Sequence, residues 1–139
     1  MRNLFFILIF IFLLISSCTK EKDPTVHPFR LRDTTTVKIG HTYINRKYNM
    51  TFKMDSVLDF RCPIEYFCLL EGPVYVKLNF TASGKNAEFR LPTDFYPNLD
   101  TTLFGYQVKL IDIAGPRPSI NHPVDQSEYS ARILINAHY

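Results

Sequence analysis

At 139 residues the chain is of single-domain length, and a composition 46% hydrophobic and 14% aromatic is ample for a core, which excludes disorder as a description of the whole. Sixteen Lys and Arg against thirteen Asp and Glu leave a formal charge of +3, falling to +2 when Arg2, the only charge before Cys18, is left out. The basic residues stand singly rather than in a stripe that could track a phosphate backbone, so nucleic acid is excluded as a partner.

Residues 1–17 read as a signal peptide. Met1, Arg2 and Asn3 form a short positive start, and Leu4 to Ile15 are twelve consecutive apolar residues followed by the small pair Ser16 and Ser17. A membrane-spanning helix needs about 20 apolar residues, so this run is too short to cross a bilayer. It carries no alternating polar face either, which argues against a core strand or helix of the folded domain. An ordinary signal peptidase would accept Ser16 and Ser17 and leave Cys18 as a bystander. The stretch Ile15-Ser16-Ser17-Cys18, however, closely resembles the lipobox of bacterial lipoproteins, an aliphatic residue and two small ones before the cysteine. The resemblance implies that the Cys18 thiol takes a diacylglycerol through a thioether. It also implies cleavage directly before Cys18, with the new amine acylated in turn. One fatty chain, at about 0.8 kcal/mol per buried CH₂, binds a membrane reversibly, whereas two or three chains hold the protein there.

Residues 18–35, the lipidated cysteine and all but the last residue of "TKEKDPTVHPFRLRDTTT" behind it, alternate charges, contain two prolines and run into three threonines without any helix or strand period. The segment is expected to be a flexible tether that holds the domain on the order of 20 Å from the lipid surface. Lys20, Glu21, Lys22 and Asp23 resemble the short charged sorting signals of some Gram-negative lipoproteins. Thr19 in place of Asp behind the cysteine leans, by the same resemblance, toward the outer membrane.

From about residue 36 to 139 the pattern is β. "KYNMTFKMD" alternates, with Tyr48, Met50, Phe52 and Met54 expected inward. "VYVKLNF" sends Val74, Val76, Leu78 and Phe80 inward, "ASGKN" reads as a turn, and "AEFRL" returns with Ala87, Phe89 and Leu91 inward, so the pair is expected to be a hairpin. "YQVKLIDIA" and "YSARILIN" supply two later strands, the last with Tyr129, Ala131, Ile133 and Ile135 on one face. Short strands separated by proline-broken connections predict an all-β domain, an antiparallel β-sandwich of immunoglobulin-like type, with a small β-barrel as the alternative. "DFYPNLDTTLF" is greasy for a connection. Phe95, Tyr96, Leu99, Leu103 and Phe104 are expected to pack over one end of the sandwich, the alternative being a contact surface.

Three cysteines are an odd number for an exported protein, and consuming Cys18 leaves Cys62 and Cys68 as a pair six positions apart. An oxidising compartment favours a disulfide between them, contributing roughly 2 kcal/mol by the chain-entropy model. Zinc would need about four ligands, and no second Cys pair or paired His spacing accompanies these two. A redox pair would show Cys-x-x-Cys, which is missing. The segment Asp59 to Gly72, D-F-R-C-P-x4-C-x3-G followed by an alternating strand, resembles a family of small exported bacterial proteins of unknown function, many of them lipoproteins. The likeness extends over about residues 37–136. Members commonly carry Trp where this chain has Leu70, and the resemblance implies fold and address rather than an activity.

Asp59, Arg61, Glu65 and Glu71 are the candidate binding residues, because they sit in a loop that the disulfide would hold rigid on a scaffold. An Arg–Asp pair flanking such a turn is also suited to capping loop carbonyls or forming a local ion pair. His27, His41, His122 and His138 lie far apart in sequence, and His27 and His122 each precede proline, so they read as loop residues. No Ser-His-Asp or Cys-His spacing is assignable, and no residue set points to a cofactor or a metal. The expected function is therefore a membrane-anchored, non-catalytic domain with a binding or envelope-structural role, its partner an envelope protein or glycan. The alternative is a periplasmic or surface enzyme or enzyme inhibitor.

Overall fold

A computed structural model of the chain describes residues 23–93 and 100–138, so Cys18 and the signal-like segment lie outside the described residues. Nine strands form two sheets. They are β1 (Val26–Pro28), β2 (Thr34–Lys38), β3 (Thr42–Asn45), β4 (Met50–Asp59), β5 (Val74–Ala82), β6 (Lys85–Pro92), β7 (Thr101–Leu103), β8 (Tyr106–Ala114) and β9 (Ser130–Ala137). One sheet has the order β1-β3-β4-β5-β6 and the other β2-β9-β8-β7. The two pack face to face as a sandwich, not as the closed barrel that was the alternative. Among the described residues no helix is long and apolar enough to cross a membrane.

The core is what the alternation dictates. Val74, Val76, Leu78 and Phe80 from β5 are buried, as are Ala131, Ile133 and Ile135 from β9 and Val108 and Leu110 from β8. Period-two patterning puts those side chains on one face of each sheet, and the faces close on one another. The β5–β6 hairpin turns through Ser83 and Gly84, both at positive φ, as "ASGKN" predicts. Tyr48 departs from expectation and is 41% exposed. Arg46–Tyr48 is a short 3₁₀ turn capped by the Asn45 side chain, and Asn49 sits in the left-handed region, so the strand phase starts only at Met50.

The ordered body begins earlier than a tether over 18–35 predicts. β1 joins the sheet edge at Val26 and runs parallel to β3, which makes this pairing the exception in an otherwise antiparallel pair of sheets. Its hold comes from packing behind it: Phe29 is buried with its ring edge-on to Phe52 at 4.9 Å, and the buried Asn45 amide donates to the Phe29 carbonyl at 3.2 Å. The same parallel pairing brings two of the histidines together. His27 Nε2 lies 2.8 Å from His41 Nδ1 with the two rings stacked, so the pair sits together at the sheet edge, His27 in β1 and His41 just before β3, rather than in separate loops.

A β-bulge in β4 between Met54 and Ser56 decides where the chemistry falls. Before it the inward residues are Met50, Phe52 and Met54; after it Val57 is buried and Asp59 shares its face. One extra residue flips every later side chain to the other face. Without the bulge Asp59 would point to solvent. β3 reaches only as far as Lys53, and beyond it the Gln126 side chain closes the open edge of β4. Its Oε1 accepts from Val57 N at 2.9 Å and its Nε2 donates to Val57 O at 3.2 Å.

Candidate functional site

At the end of the sandwich where β4 leaves and β5 returns, Asp59 is turned inward with its side chain 6% exposed. Three groups satisfy it. Arg61 donates from Nε to both carboxylate oxygens at 3.0 Å and from Nη2 to Oδ2 at 2.6 Å, and the Tyr129 hydroxyl donates to Oδ2 at 2.9 Å from the opposite sheet. Burial alone would raise the Asp59 carboxyl, but the hydrogen bonds from the Arg61 side chain and backbone and from Tyr129 hold it below the usual range. The hydrogen bonds from Arg61 to Asp59 likewise strengthen the guanidinium's hold on its proton. Tyr129 is pushed up to about 12, by burial first and then by the adjacent carboxylate.

Arg61 also reaches the loop that follows β8. Its Nη2 donates to the Pro116 carbonyl at 2.8 Å, so one guanidinium ties strand end, carboxylate and neighbouring loop together. Further contacts fasten the two loops along their length. Ile64 N donates to Pro118 O at 3.0 Å, Arg117 pairs with Glu71, and Glu65 accepts from the Ser119 hydroxyl, Ile120 N and the Asn121 side chain. The Ser119 hydroxyl is the main cause of a lowered Glu65 pKa, so the group is anionic. Two glycines permit this closeness. A Cβ on Gly72 would stand 2.1 Å from the Phe60 carbonyl oxygen, and one on Gly115 would stand 2.3 Å from the Tyr129 ring.

Cys62 and Cys68 form the expected disulfide, with Cα atoms 5.9 Å apart. It clips the loop at its base, and the residues beside and beyond it point away from the body. Phe67, Leu69 and Leu70 are 95%, 94% and 84% exposed, and Phe60, Ile64 and Tyr66 of the same loop and Ile120 of the loop bonded to it are each more than half exposed. Only Tyr48 among the exposed large hydrophobics of the described residues lies elsewhere. A concentration of this kind on a folded surface marks a place that something covers.

The four sequence-predicted residues therefore all fall in this loop, but they do not converge on a shared point open to solvent. Asp59 and Arg61 form the local ion pair and carbonyl cap that was the other reading of them; Glu65 and Glu71 brace the second loop. The outward face is instead apolar, which the spacing of charged residues does not single out. Its signal was present in Tyr66 to Leu70, an uncharged stretch with a cysteine that the disulfide removes from titration. Leu70 is one of the exposed tip residues. In "DFYPNLDTTLF", Leu103 and Phe104 pack against the core, while Phe95, Tyr96 and Leu99 lie outside the described residues.

A cleft of about 600 Å³ opens at the other end of the sandwich, beside Leu31, Arg32, Tyr48, Phe104, Tyr106 and His138. Among the described residues no carboxylate lines it. Among the described residues no three His, Cys, Asp or Glu side chains gather as a metal site would require. Comparison with known proteins matches no protein-family model to this chain, and no curated protein or solved structure matches it.

Proposed function

We propose that the chain is a bacterial lipoprotein, fixed through acylated Cys18 to the outer membrane of a Gram-negative cell. Its β-sandwich is a non-catalytic binding domain of the envelope, and the loop from Phe60 to Gly72 is the surface it works with. The observation that carries the binding half of this reading is the clustering of Phe67, Leu69 and Leu70, almost fully exposed, on a loop that a disulfide and a neighbouring loop hold in shape. Holding such side chains in water is unfavourable, by about 1.5–3 kcal/mol for each large apolar group relative to burial, so a fixed display of them favours a partner. The charged groups of the loop support a non-catalytic role, because Asp59, Arg61, Glu65 and Glu71 are each engaged in holding it. The lipid anchor is supported by the lipobox and by cysteine pairing, since Cys62 and Cys68 take each other and leave Cys18.

The anchor is tested in a Gram-negative host expressing the whole chain. Cys18→Ser is expected to shift the protein out of the acylated membrane fraction and to leave the unprocessed precursor at its full peptide mass. Processing and acylation unchanged in the variant would refute the anchor.

A further inference from the structure

We infer that the apolar loop docks on the bilayer that carries the chain's own anchor, giving the domain a second, non-covalent attachment to the membrane. The inference rests on the lipid-anchor reading and names the partner of the same surface.

The length of the tether argues for it. Thr25 is already held to the sheet, its carbonyl accepting from Thr42 N at 2.8 Å. Six residues separate Thr25 from Cys18. Seven Cα steps reach at most about 25 Å. β4, with ten residues, is roughly 33 Å long. The connection is therefore shorter than the domain, and it keeps the sandwich within about 25 Å of the lipid surface. Val26 is level with Lys53 through Thr42, and Asp59 lies about 20 Å further along β4, a distance within the reach of the tether. The acylated residue and the loop can thus occupy one plane. A tethered body samples that plane at high effective concentration, so a modest apolar contact suffices to hold it there.

The chemistry of the tip fits a lipid surface. Tyr66 to Leu70 carry no charge, and the ionic groups behind them are paired or hydrogen bonded within the two loops. The tip side chains stand in solvent, Tyr66 among them at 61% exposure, and an aromatic ring with a polar tip suits the headgroup level. The tip has no lysine or free arginine, so docking is expected on zwitterionic lipid and is expected to be insensitive to salt.

The chain contains no tryptophan, which makes a Phe67→Trp variant a single-site reporter at an exposed position. The full acylated chain is reconstituted into phosphatidylcholine vesicles with and without brominated acyl chains, next to a Lys85→Trp control. Lys85 closes the β5–β6 turn, level with Ala82 and Met50 at the end opposite the loop. The Phe67→Trp emission is expected to move to the blue and to be quenched at least twofold by the brominated lipid, with the control unchanged. Unquenched emission in a chain that floats with the vesicles overturns the inference and leaves the patch to a protein, a glycan or a second copy. Equal quenching at both sites overturns it as well. Mass spectrometry separates the two readings. A chain without fatty acyl mass refutes the anchor, and quenching on addition of vesicles then decides the loop alone, its presence upholding docking and its absence ending it.

Discussion

Tyr129→Phe probes the contact that joins the two sheets at the loop end. The substitution removes one oxygen and keeps the ring that packs against Gly115, so the loss is confined to the hydrogen bond onto Asp59 Oδ2. A hydrogen bond to a charged group contributes about 1.5–3 kcal/mol. The raised pKa sets the pH window. Burial first and the adjacent carboxylate second hold the phenol neutral, so a folded value of about 12 against about 10 in the unfolded chain leaves the contribution fully present below pH 10 and lost as pH rises toward 12. The full loss over two pH units is about 2–3 kcal/mol, the larger share from burial of the phenol and the smaller from its bond to Asp59. The variant is therefore expected to be less stable by about 2 kcal/mol at pH 7, with the deficit shrinking between about pH 10 and pH 12. Urea unfolding followed by circular dichroism at several pH values measures it, and tyrosines common to both proteins cancel in the difference. A deficit that stays constant from neutral pH to pH 11.5, or one below about 0.5 kcal/mol at pH 7, would refute the coupling of Tyr129 to Asp59.

Gly115→Ala is expected to lower stability by about 1–3 kcal/mol, because its methyl would enter the Tyr129 ring and the ring is pinned at its hydroxyl; a thermal melt unchanged within a degree would count against that close approach. Replacing Cys62 and Cys68 together by serine should keep the sandwich's circular dichroism and cost roughly 2 kcal/mol in denaturant unfolding. Limited proteolysis should then cut between Phe60 and Gly72 far faster than in the parent, and equal rates would show that the second loop alone holds the tip.

Much of the sandwich was legible from alternation, since β5 and β9 bury the residues their pattern selects, β6 buries Leu91 and half-buries Ala87 and Phe89, and the hairpin turns where glycine and serine permit positive φ. β1 was hidden because "VHP" has no period and carries a proline; its place follows from Phe29 finding Phe52, a contact no local rule foretells. The β4 bulge was likewise invisible, and with it the inward turn of Asp59. The disulfide was readable from cysteine parity, and the bracing role of Arg61 from its spacing to Asp59. Its distant partner Tyr129 was assigned to the core face correctly, but the meeting of its hydroxyl with Asp59 depends on the opposite sheet. The exposed tip was missed because hydrophobic residues are by default assigned inward, and only the placement of the two loops shows that these are left uncovered among the described residues.

The rims of the two sheets bear on how many copies can crowd together without fusing. β1 offers three residues and ends on Pro28, β7 is equally brief, β2 displays threonines, and β6 carries Lys85, Glu88 and Arg90 along its outer margin. Short, charged or proline-closed borders deny a neighbouring molecule the unpaired backbone needed to extend a ladder. Dense lateral packing would thus be resisted as a route to fibre growth.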